Sequence, residues 1–65
     1  MITYHAYTVE RKNGKAKIYR EGSCLSTDTK PTNDATMMNG SKLMEMNTGK
    51  LFLYDEANKV WREWT

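Results

Sequence analysis

The chain has 65 residues, of which 38% are hydrophobic and 28% charged, with a formal net charge of +2. That is room for one globular domain over residues 1–65, too small to bury much surface and only marginally stable without help. The small charge makes no case for nucleic acid, the lone Cys24 excludes an internal disulfide, and one cysteine with one histidine, His5, makes a poor metal site.

Self-association is therefore an expected source of extra stability. The chain does not open on a basic region followed by an apolar run, and no stretch approaches membrane-spanning length. A free thiol fits a reducing compartment, so the expectation is synthesis in a reducing cytoplasm with no membrane partner.

Residues 3–9 are rich in Tyr, Thr and Val, which favour strands. Asn13-Gly14 follows, a strong signal for a two-residue hairpin turn because both positions tolerate positive φ. With those two residues in the turn, Lys12 pairs with Lys15, Arg11 with Ala16, Glu10 with Lys17, Val9 with Ile18, Thr8 with Tyr19 and Tyr7 with Arg20. Side chains alternate between faces, so Tyr7, Val9, Ile18 and Arg20 share an apolar side, and His5 falls on it too. Thr8, Glu10, Lys17 and Tyr19 share the wet side.

Residues 21–39 form a long segment full of Ser, Thr, Asp and Asn, with Pro31 biasing Lys30 toward extended backbone. So long a loop needs a reason. Its ends are expected to be pinned over the sheet by Leu25, Ala35, Met37 and Met38, with residues 27–34 mobile.

Residues 42–46 and 50–54 then read as two apolar strands around Asn47-Thr48-Gly49. A three-residue connection, with Gly49 left-handed, sets Met46 against Lys50, Glu45 against Leu51, Met44 against Phe52 and Leu43 against Leu53. Leu43, Glu45, Leu51 and Leu53 would share one face; Met44, Met46, Phe52 and Tyr54 the other. Both faces are largely apolar, so whichever does not face the core must be covered by the loop, the first hairpin or another chain.

Residues 55–64 admit two readings. A short helix capped by Asp55 would stack Ala57, Val60, Trp61 and Trp64. A turn through residues 55–58 would instead return residues 59–64 as a fifth strand, with Trp61 in the core beside Leu53. Ten residues make a marginal helix, and the strand is preferred.

The fold expected is all-β: a small antiparallel sheet with an N-terminal hairpin and a C-terminal three-strand meander joined by a long loop. Chemistry finds little support. Nothing places Cys24 near His5, and no third group would orient the base of such a pair. Asp55 and Glu56 suit a solvated turn better than acid–base work. Asp28, Asp34 and Asp55 lack the alternating spacing of a calcium loop, and the four glycines are too scattered to cradle a phosphate. No catalytic, cofactor-binding or metal-binding residue is assigned, and no enzyme is expected.

The segment Gly40-Ser-Lys-Leu-Met-Glu-Met-Asn-Thr-Gly-Lys-Leu-Phe-Leu-Tyr-Asp-Glu56, followed by Trp61 and preceded by Pro31-Thr32, resembles a group of small proteins of tailed phages and prophages of Gram-positive bacteria. Those proteins are encoded among virion structural genes. Members more often carry Asp where this chain has Asn47, and both residues suit a first turn position. The resemblance implies a virion-associated structural or accessory module that acts through protein contacts, with itself or with a virion component, and brings no catalytic residues with it. The expected interface is Met44, Met46, Lys50, Phe52, Tyr54 and Trp64. The alternative is a single-stranded nucleic-acid module, which would need exposed rings such as Tyr7, Tyr19, Phe52 and Tyr54 among basic groups.

Overall fold

A computed structural model of the chain describes residues 1–64, apart from the side chain of Lys12. Five strands form one sheet in the order of the sequence: β1 (Thr3–Lys12), β2 (Lys15–Cys24), β3 (Lys42–Glu45), β4 (Leu51–Asp55) and β5 (Val60–Trp64). The all-β architecture is as expected, with an N-terminal hairpin, a long connection and three further strands.

The first hairpin has the expected register from Tyr7 opposite Arg20 to Lys12 opposite Lys15. Asn13 and Gly14 take φ of 53° and 75°, the two left-handed residues that a twist-matched two-residue turn requires. Near the other end of β1 the ladder slips by one residue between Tyr4 and Ala6. This bulge at His5 reverses the alternation, so Tyr4 joins the face of Arg20 and Gly22, and His5 does not. His5 borders the opposite face, beside Glu21 and Lys42, a correction to its expected place on the apolar side. Gly22 is what lets the bulge close: a Cβ there would stand 2.5 Å from the Thr3 carbonyl oxygen and 2.9 Å from Tyr4 Cδ1.

The pairing that joins the two halves is parallel, not antiparallel: Glu21 stands opposite Lys42 and Cys24 opposite Glu45. Parallel neighbours need a long crossover, which is the reason for the long loop. That crossover also extends the sheet. The Ile18 N–H donates to the Thr36 carbonyl (2.7 Å) and the Met38 N–H to the Ile18 carbonyl (3.0 Å), so the part of β2 that β3 does not reach is occupied by residues 36–38.

The second hairpin corrects the expected register. Leu43 faces Phe52, Met44 faces Leu51 and Lys42 faces Leu53. The connection has four residues rather than three: the Glu45 N–H donates to the Lys50 carbonyl and the Gly49 N–H to the Glu45 carbonyl, both at 2.8 Å. Gly49 is left-handed, with φ 76°. A one-residue slip moves every side chain of a strand to the other face. Phe52 and Tyr54 therefore join Leu43 and Glu45, while Leu51 and Leu53 join Met44 and Lys42.

The last segment is the strand, not the helix. Trp61 lies opposite Tyr54, and Arg62, not Trp61, is opposite Leu53. The core lies between the sheet and the crossover, where Cys24, Met37, Leu43 and Tyr54 are buried. Of the loop residues expected to anchor it, Met37 does so, whereas Leu25 and Ala35 are exposed.

Candidate interaction surface

The two faces of the sheet have different chemistry. On the covered face the crossover is held by polar contacts as well as by Met37. The Arg20 guanidinium reaches the Asp34 carboxylate at 3.1 Å and Thr36 Oγ1 at 3.3 Å, and it lies over the Tyr4 ring. Hydrogen bonds from Thr36, with Arg20 beside it, hold the Asp34 carboxyl below its ordinary value. Lys30 Nζ lies 2.6 Å from Glu45 and 4.2 Å from the centre of the Phe52 ring. Trp61 Nε1 donates to the Pro31 carbonyl at 2.9 Å, and its ring stacks tilted on Tyr54, 5.0 Å between centroids. The middle of the loop, expected to be mobile, is thus tied to the sheet at Lys30, Pro31 and Asp34.

Glu45 is a buried carboxylate, yet it is paired with Lys30 and accepts from Thr48 Oγ1 at 2.7 Å. Those two contacts, the lysine first, hold its pKa down despite burial. A buried charge is tolerable only with such partners. Cys24 is buried on the same face, and burial pushes its thiol up, which disfavours the nucleophilic thiolate. His5 lies on the other side of the sheet, so the fold separates the two groups. Asp55 and Glu56 are turn-builders: Asp55 accepts from Asn58 and, at 2.8 Å, from Arg62 Nε, contacts that lower its pKa to about 2, and Glu56 pairs with Lys17 at 2.9 Å.

The open face carries the row Ser23, Met44, Leu51, Trp64, each opposite the next across four strands. Met44 is exposed, and Met46 and Trp64 are each 64% exposed. His5, Glu21, Lys42, Met44, Met46 and Leu51 border a shallow depression of about 380 Å³. Beside that row runs a mixed one of Glu21, Lys42, Leu53 and Arg62.

The six residues expected to form one interface are therefore divided by the sheet. Met44, Met46 and Trp64 remain exposed together. Tyr54 is buried, with 3% of its surface exposed, and Phe52 is half-buried under Lys30. Lys50, on the side of Phe52, points toward Glu63 at 3.7 Å. Leu51 is the member that sequence reasoning omitted. Its signal was present, in an apolar residue five positions from Met46 across an Asn-Thr-Gly turn, but the register decided its face. Comparison with family models, with curated proteins and with solved structures finds no match.

Proposed function

We propose that the protein is a non-enzymatic structural or accessory module of a tailed phage or prophage, working by protein–protein contact through the open face of its sheet. The observation that carries this reading is the one-sided sheet. Its crossover covers one face, and the other presents Met44, Met46, Leu51 and Trp64 side by side. Soluble monomers rarely leave contiguous large apolar groups exposed without a use for them, and methionines beside an aromatic ring suit an adaptable contact. The phage setting rests on the resemblance carried by Pro31-Thr32 and residues 40–61. The single-strand reading gains less, since the exposed rings Tyr7 and Trp64 stand on opposite faces rather than in one basic groove.

Sedimentation velocity over a wide concentration range at two salt concentrations tests the proposal. Association that strengthens or holds at high salt, and is lost in Met44→Asp, supports an apolar contact on this face. A monomer that also captures no component of a phage particle through this face argues against the reading, as does association that Met44→Asp leaves intact.

A further inference from the structure

Charge is segregated along this chain. Residues 1–20 hold five basic side chains and one acid; residues 21–65 hold five basic and seven acidic. The fold sharpens the division, because among the described residues every side-chain carboxylate except that of Glu10 lies within ion-pair distance of a cation. Arg11 and Lys15, at the tip of the first hairpin, have no carboxylate partner among the described residues.

The same hairpin supplies a backbone edge. β1 is the first strand of the sheet and has no neighbour on its outer side among the described residues. Beyond the bulge at His5 its ladder is regular over residues 6–12. Tyr7 and Val9 on that stretch are 61% and 55% exposed, on the face of Arg11, with Thr8 and Glu10 on the other. Edge strands are usually blunted by charge or bulges along their length. Here the bulge sits at one end and the cations at the other, and two large apolar side chains stand between them.

We propose that residues 6–12 of β1 form an edge that receives an extended acidic and apolar segment of a partner protein by strand addition. Main-chain hydrogen bonds to the free edge hold such a segment, and alternate side chains give it specificity. Its apolar groups cover Tyr7 and Val9, and its carboxylates meet Arg11 and Lys15, which steers encounter and sets register. A second copy of this chain is a poor occupant, because among the described residues all its side-chain carboxylates but Glu10 are already engaged, which leaves one acid for two cations. A nucleic acid is disfavoured because phosphates would use the cations and a stacked base Tyr7 alone, leaving the exposed Val9 unexplained. This edge is independent of the open face, so either surface can fail without the other.

The test is a titration of the labelled protein with a capped octapeptide of which one half alternates Val and Thr and the other half is all Asp, made in both chain orders and followed by amide shifts. A short DNA duplex is run in parallel. Shifts confined to residues 6–17, and weakened about tenfold or more in Arg11→Glu/Lys15→Glu, support the edge. The double variant's remaining amide peaks report that it is folded. Shifts centred on Met44, Leu51 and Trp64, no shifts at millimolar peptide, or tighter binding of the duplex than of the peptide would each overturn it.

Discussion

The two faces of this sheet are built from the same kinds of residue and do opposite work. The covered face buries Leu43 and Tyr54 and seats Phe52 and Trp61 beneath the crossover. It satisfies its one buried carboxylate, Glu45, through Lys30 and Thr48. The open face has Met44, Leu51, Leu53 and Trp64 and, among the described residues, no layer above them. The difference lies in which set the crossover selects. A sheet needs a second layer to form a core, and among the described residues the crossover is the one layer that does so.

The largest way to break that distinction is Leu43→Ala. Its side chain has no exposed surface, and truncating a buried leucine costs about 2–5 kcal/mol, enough to unfold a marginal domain in urea or thermal melts. Met44→Ala, one residue along on the open face, is expected to cost about 0.5 kcal/mol or less, with its effect appearing in association instead. Comparable losses at the two positions would erase the distinction between the faces.

Gly22→Ala comes next. It forces a Cβ against the Thr3 carbonyl and is expected to cost about 1–3 kcal/mol, with loss of the bulge that turns His5 to the open side. Trp61→Phe removes the hydrogen bond that pins Pro31 and is expected to cost about 1 kcal/mol, read from the same melts.

Acid offers a milder probe. Asp34, Glu45 and Asp55 all have folded pKa values below their ordinary ones. Their stabilisation is present above the unfolded carboxylate range and is lost as pH falls through the folded values. Stability should therefore decline from about pH 4 downward, with the Asp55 contribution lasting to about pH 2. A flat urea midpoint between pH 5 and pH 2.5, two values bracketing most of that range, would contradict these ion pairs.

The two hairpins show where sequence reasoning reached and where it stopped. Asn13-Gly14 permits one turn geometry, so each pair from Tyr7 to Lys15 followed from local chemistry. Asn47-Thr48-Gly49 permits several, and the choice was made from a distance. The Met46 N–H is held by the Cys24 carbonyl at 2.8 Å, and Asn47 exchanges hydrogen bonds with Ser26. Those tertiary contacts keep Met46 out of the β3–β4 ladder and flip β4. The parallel join and the anchoring of Lys30 and Pro31 are likewise long-range, carried by residues that look like ordinary loop. The bulge left one local trace, Gly22 within an otherwise substituted strand.

Methionine oxidation tests the central claim most directly, because four of the relevant side chains report on themselves. Dilute peroxide and residue-resolved mass spectrometry at low and high protein concentration would give each rate. The one-sided sheet predicts fast oxidation of Met44 and Met46 and slow oxidation of Met37 in dilute protein. Protection of Met44 should then grow with concentration if a second copy is the occupant, or with addition of the partner otherwise, while Met1 stays reactive. Oxidation of Met37 as fast as that of Met44, or an assembly in which Met44 and Met46 stay fully reactive, would contradict it.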